Sequence, residues 1–252
     1  MKKAIIITSA IEVNNQYPLT YSPTRSHFNN DERYRQTIST IANLDLASDQ
    51  DTTLYLVDIS DNAGYGYQLS YQPNLKYIHV KTAIPHIWEI TRTHKNKSYC
   101  EQLILYSFLE SFKEELSQYD VYFKFSGRYL VDKNFNISFF REDTKPGFYF
   151  KHPMKFEWND SWGYEMVDLR KEQGDNFLYQ YCSVLYGWSR DYHQQYIDIS
   201  KVISELCSKE GTQHYDVETL LYYFTREFKD NITLMPWIVY GWDGTNGRFL
   251  RY

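Results

Sequence analysis

Across the first 131 residues, stretches that read as buried strands alternate with stretches of helical periodicity, and few architectures accommodate that order. "KAIIITS" (3–9) is a continuous β-branched run ending in small polar residues. "TLYLVDISDN" (53–62) reads as a second strand ending at Asp58, and "LKYIHV" (75–80) as a third. "YDVYFKFSGRYLV" (119–131) holds a fourth over 120–125, where Val121, Phe123 and Phe125 alternate with Tyr122 and Lys124. Between the first two, "NNDERYRQTISTIANLDLA" sets Tyr34, Ile38, Ile41 and Leu44 at helical spacing behind an Asn30 or Asp31 cap. "NKSYCEQLILYSFLESFKEELSQ" predicts a long helix with Leu103, Tyr106, Leu109, Phe112 and Leu116 facing inward. The alternation predicts an α/β fold, a Rossmann-type, mostly parallel sheet flanked by helices. Such sheets bind ligands beyond the carboxyl ends of their strands. Ser9, Asp58 and Gly127 all fall there.

The rest of the chain is less regular. "ISFFRED", "KPGFYFKHPMKFEW" and "FLYQYCSVLYGWS" predict strands of a mixed sheet. "RDYHQQYIDISKVISELCSK" and "YDVETLLYYFTREFKD" predict two helices, and "ITLMPWIVYGWDGTNG" a strand followed by a Gly-rich loop. With 252 residues and no repeat or linker, residues 1–252 read as one domain whose second half completes a site begun by the first.

Bulk properties narrow the function classes. A net charge of −5 argues against a general nucleic-acid binder. Three cysteines, widely spread and without metal-ligand spacing, suit reduced thiols in the cytoplasm. "MKKAIIITSAI" is too short and too polar at Thr8 and Ser9 for a signal peptide and reads as a first strand. No stretch approaches the ~20 apolar residues that span a bilayer. No GxSxG, HExxH, P-loop or GxGxxG motif is present. The 25 tyrosines suit either sugar stacking or an aromatic core.

Several residues carry chemistry, each with a plainer alternative. Asp58 can accept hydrogen bonds from a ribose or base, or cap a loop. Lys97 opens the long helix, where anions are favoured, or pairs with Glu101 four residues on. Lys124 sits in a buried strand and needs a partner; Gly127 permits a close approach, and Arg128 offers a planar fork for phosphate. The alternative is an ion pair of Lys124 with Glu101 or Asp120. Glu218, preceded by His214 and Asp216, is either a base or acceptor-binding group or a favourable charge in a first helical turn. The "GWDGTNG" loop (241–247) folds over a ligand or is a solvated turn.

Taken in order, these pieces resemble a family of small bacterial and viral GT-A type glycosyltransferases of capsule and lipopolysaccharide synthesis. The resemblance rests on Glu32/Arg33/Gln36/Thr37, Val57/Asp58/Ser60, Asn96/Lys97/Glu101 and Asp120/Lys124/Gly127/Arg128/Tyr129. It covers most of the first 135 residues and returns weakly near 218 and 241–247. It implies transfer of a sugar from a nucleotide-diphosphate donor, a UDP-sugar being favoured, to a glycan or glycolipid acceptor. Residues 1–135 would form the donor half and 136–252 the acceptor half. Ser9, Arg33, Asp58, Lys97, Glu101 and Gly127 would bind the donor; Lys124, Arg128 and Glu218 would be catalytic. Many members hold Mn or Mg through an Asp-x-Asp, but the matching stretch here is "FKFSGRY", which disfavours a metal and puts basic residues in its place. The resemblance is compatible with peripheral membrane contact and a cytoplasmic setting. The rival readings are a nucleotidyltransferase, which would want an early Gly-rich loop, and a non-catalytic glycan-binding protein.

Overall fold

The computed structural model describes residues 1–157, 177–209 and 215–252. The central sheet begins with β1 (Lys3–Ser9), β2 (Thr52–Asp58) and β3 (Leu75–His79). The helices among them are α1 (Asn30–Ala47) and α2 (Gly64–Leu69). Three further helices, α3 (Val80–Ala83), α4 (Pro85–Thr93) and α5 (Lys97–Ser111), precede the short α6 (Lys113–Leu116) and β4 (Val121–Ser126). After β5 (Tyr129–Val131) come β6 (Phe148–Lys151), β7 (Met154–Glu157), β8 (Phe177–Gln180) and β9 (Leu185–Ser189). The chain closes with α7 (His193–Ser208), α8 (Val217–Thr225), β10 (Ile232–Met235), β11 (Val239–Trp242) and β12 (Phe249–Arg251).

The seven-stranded sheet has the order β10-β6-β9-β4-β1-β2-β3. β1 is parallel to both β2 and β4, and β2 to β3, so Ser9, Asp58 and His79 share one level and Ser126 lies beside Thr8. The chain works outward from β1 to β3 and then returns to β4 on the other side of β1. This reversal opens a crevice between the ends of β1 and β4. β9 runs antiparallel to β4, with Leu185 opposite Phe125, so the residues entering β9 reach the same edge. A small antiparallel sheet, β12-β11-β5, hangs from the end of β4.

Strand alternation sends side chains into two cores. Ile6, Tyr55, Tyr122 and Trp188 pack with Leu105, Phe108 and Tyr196 on the face covered by α5 and α7. Ile5, Ile7, Leu56 and Phe123 pack with Ile41 and Leu44 of α1 and with Trp237 on the other. Lys124 belongs to the first face and is fully buried there.

Several elements differ from the sequence expectation. The cap of α1 is Asn29, whose side chain and Glu32 form a reciprocal capping box. In α5 the buried residues include Cys100, Ile104, Leu105, Phe108 and Leu109, while Leu103, Tyr106 and Phe112 are half-buried. That helix is pressed between the sheet and α7, so burial spreads round it and no single stripe marks the inward side. "ISFFRED" gives a 3-10 turn at Ile137–Phe139, not a strand. The stretches 145–158 and 177–189 each break into two strands, at His152–Pro153 and at 181–184. Trp158 and His214 lie outside the described residues. Among the described residues no helix is long and apolar enough to cross a membrane.

Candidate active site

Two cavities meet at the crevice between β1 and β4. The first, about 800 Å3 counting space open to solvent, lies beside Ser9, Arg33 and Arg92. The second, about 1140 Å3 on the same count, lies beside Asp216, Glu218 and Asp243. Lys97, Glu101, Ser126 and Arg128 line both.

Each wall has a local cause. Asn96 caps α5 by accepting from the Tyr99 N–H at 3.2 Å and also donates to the Cys207 carbonyl at 3.0 Å. This fixes the first turn of the helix, with Lys97 at its first position. Arg128 follows the Ser126–Gly127 turn, and Gly244 of the β11–β12 loop lies close against its guanidinium: a Cβ on Gly244 would stand 2.8 Å from Cζ. The loop is held by the Asp243 carboxylate, which accepts from Thr245 N–H at 2.7 Å and from Asn246 Nδ2 at 2.9 Å. The Gly244 carbonyl takes the His27 N–H at 2.8 Å. The glycine-rich loop therefore packs on Arg128 as an ordered turn.

The cations divide into those already occupied and those left over. Arg33 donates to the Ala10 carbonyl and, at 3.1 Å, to Ser26 Oγ, so it shapes the segment after β1. Burial, with repulsion from Arg128, pulls its pKa well below the usual arginine value. Arg25 likewise donates to the carbonyls of Tyr17, Thr91 and His94. Among the described residues, Arg128 Nε is buried without a hydrogen-bond partner and Lys97 has no ion pair; Arg92 Nε is also unpartnered, but its Nη1 pairs with Asp61 at 3.8 Å. Burial, then the neighbouring Arg128, lowers the Lys97 pKa, against the opposing pull of Glu101.

Two residues expected at the donor, Asp58 and Gly127, and one expected to be catalytic, Lys124, line neither cavity. Asp58 is fully buried and lines neither cavity; its Oδ1 accepts from Ile11 N–H at 3.1 Å and Ser60 Oγ at 2.9 Å, and Oδ2 from the Tyr77 hydroxyl at 3.4 Å. It ties the loops after β1 and β2, which is the capping alternative, and burial raises its pKa. Gly127 lines neither cavity; a Cβ there would lie 3.1 Å from Ser9 Cβ, so the close approach it permits is to β1 and not to a ligand. Lys124 also lines neither cavity. Its ammonium pairs with Glu101 and donates to Ser126 Oγ at 2.8 Å and the Ser183 carbonyl at 2.6 Å. With three acceptors for three protons, it has none left for a phosphate. Glu101 reaches both cavities, but its carboxylate is committed to Lys124; burial opposes ionisation there, yet Lys124 and Lys97 hold its pKa below the usual value. Ser9 stays at the first cavity, its hydroxyl 3.3 Å from Thr37 Oγ1.

The second cavity has a different character. Asp216 caps α8, accepting from Thr219 N–H at 2.6 Å and Gln180 Nε2 at 2.8 Å. Glu218, half-buried in the first turn of α8, accepts from the Ser183 hydroxyl. Burial and the neighbouring Asp216 push the Glu218 pKa up to about 7 from 4.5, the range in which a carboxylate works as a base near neutral pH. Tyr21, Tyr129, Tyr215 and Tyr252 complete much of this wall.

The residues at the end of β4 do not suit a divalent metal. They are Ser126, Gly127 and Arg128, and the nearby carboxylates are committed: Glu101 to Lys124, Asp243 to its own turn, Glu218 to Ser183. Among the described residues no group of three or more His, Cys, Asp or Glu side chains is placed to hold an ion.

Ser183, Arg92 and Asp243 were not singled out individually from sequence. Arg92 stands in the basic stretch "TRTHKNK", which could have flagged it, and Asp243 in the loop already noted. Nothing local marks Ser183; only the pairing of β9 with β4 brings it to the edge.

Comparison with known proteins agrees with the architecture. No family model matches the chain, and no curated protein matches it in sequence. Among solved structures, it is similar to core-mannan synthase A of Aspergillus fumigatus, in a form with Mn and GDP, at 12% identity and TM-score 0.52, over 95% of this chain and 74% of that one. It is also similar to the bifunctional glycosyltransferase WbbM in its apo form, at 11% identity and TM-score 0.50, over 93% of this chain but only 39% of that one. The chain thus has a GT-A glycosyltransferase fold, as the resemblance implies, and the mostly parallel α/β sheet that the strand and helix order predicts.

The capping role of Asp58 has a direct test. Asp58→Ala is expected to destabilise the fold by about 1–3 kcal/mol, because it strands buried donors. Thermal unfolding should show the loss. An unchanged melting temperature would contradict the capping role.

Proposed function

We propose that this chain is a glycosyltransferase that moves a sugar from a nucleotide-diphosphate donor to a glycan or lipid-linked acceptor. The observation that supports it most is the pair Lys97 and Arg128, unpaired cations on the wall shared by the two cavities at the sheet's switch point. The first cavity would take the nucleotide, beside Ser9 and the loop shaped by Arg33. Its diphosphate would lie against Arg128 and Lys97. The second cavity would take the acceptor. Glu218 would draw the proton from an acceptor hydroxyl as its oxygen bonds to the anomeric carbon and the bond to the diphosphate breaks. Charge then appears on the leaving phosphate, where fixed cations in a partly dehydrated site stabilise it. In this reading residues 1–135 supply the donor half and residues 136–252 most of the acceptor half. UDP-sugars remain the favoured donors on the resemblance alone.

A thermal-shift panel tests the binding step. UDP, GDP, CDP or TDP at 100-fold over its Kd should stabilise the fold by about 2.7 kcal/mol. A flat profile across all four would contradict the reading and favour a glycan-binding role.

A further inference from the structure

Lys124 is the most deeply buried cation next to the two cavities, and it touches neither. What it touches is Glu101. That carboxylate lines both cavities and stands one helical turn from Lys97, the i, i+4 spacing at which a lysine and a glutamate pair readily. Arg128 lines the same shared wall. Without a stronger partner, Glu101 would turn to Lys97 or Arg128 and cancel the charge they present. With Lys124 beneath it, Glu101 is held against the sheet. The lysine is anchored in turn by Ser126 Oγ and the Ser183 carbonyl, so it cannot follow Glu101 outward.

We propose that Lys124 is a positioning residue for anion binding: it sequesters the Glu101 carboxylate so that Lys97 and Arg128 remain free for a diphosphate. This deepens the donor-site reading above and rests on it. It reassigns Glu101 as a group that must be kept away from the donor, not one that binds it. It also explains why a fully buried lysine meets a partly buried carboxylate here, where an apolar pair would pack without the desolvation cost. The pair permits an α5 whose outer turn carries Lys97 while its next turn meets the sheet.

The test is calorimetric titration with inorganic pyrophosphate and with UDP and GDP, on wild type, Lys124→Met, Glu101→Gln and the double variant. Lys124→Met should bind all probes at least tenfold more weakly, because Glu101 now competes for Lys97 and Arg128. The double variant should return to within about threefold of wild type, since the competing carboxylate is gone. Glu101→Gln alone should bind as well as wild type or a few-fold tighter, and it carries the test if Lys124→Met fails to fold. A merely structural lysine would give no rescue. Wild-type affinity in Lys124→Met, a double variant as weak as Lys124→Met, or at least tenfold weaker binding by Glu101→Gln would overturn the proposal while leaving the donor site standing. Failure of wild type to bind any of the three probes would instead remove the donor reading, and the proposal with it.

Discussion

Arg128→Ala is expected to slow sugar transfer by roughly 10^2–10^3-fold, about 2.7–4 kcal/mol in the barrier, the usual cost of losing one donor aimed at developing charge. Arg128 merits this figure because its Nε is buried and unpartnered and Gly244 packs directly against its guanidinium. A preorganised fork loses little on meeting a phosphate. Arg128→Lys should also be harmful, since a point charge cannot make the bidentate contact. Steady-state rates for the two variants, with melting temperatures as control, check this. Near-wild-type rates in both would take Arg128 out of the site.

Glu218→Gln is expected to cost about 10^2–10^4-fold in rate, the typical contribution of a general base. The pH profile of kcat/KM in the wild type should rise up to about pH 7 and then level, following ionisation of Glu218. The same shift has a stability consequence. The folded pKa lies above the unfolded value of 4.5, so the folded state holds more protons between those limits. The Glu218 contribution to stability is therefore greatest below pH 4.5 and falls as pH rises toward 7. Glu218→Gln should remove that slope and be relatively more stable above pH 7. A variant with full activity, or one that keeps the same rising profile, would assign the base elsewhere.

The strand and helix order could be read from the chain because each buried strand is a short β-branched or aromatic run with clear ends. The edge on which the strand ends at Ser9, Asp58 and Gly127 gather followed from the same reading. Side-chain commitments did not. Asp58 and Lys124 look alike in sequence, polar residues at or near strand ends, and which way each spends its hydrogen bonds depends on Ile11, Tyr77, Glu101 and Ser183, which lie far off along the chain. Lys124 was expected at the diphosphate, yet the alternation that places it in the strand also points it at α5, where Glu101 waits. Ser183 was invisible because no local pattern marks a residue two places before an antiparallel strand. The α5 stripe held in part: Leu109 and Leu116 are buried and Leu103, Tyr106 and Phe112 pack half-buried against the same core, but a helix covered on more than one side also buries residues outside the stripe.

The most direct measurement is release of nucleoside diphosphate from a panel of nucleotide sugars in EDTA, by wild type and by Arg128→Ala. Fixed cations of the chain itself should hold the leaving diphosphate. At least one donor should then turn over in EDTA, at a rate that Arg128→Ala lowers a hundredfold or more. Turnover that vanishes in EDTA, returns with manganese and is indifferent to Arg128→Ala would contradict it.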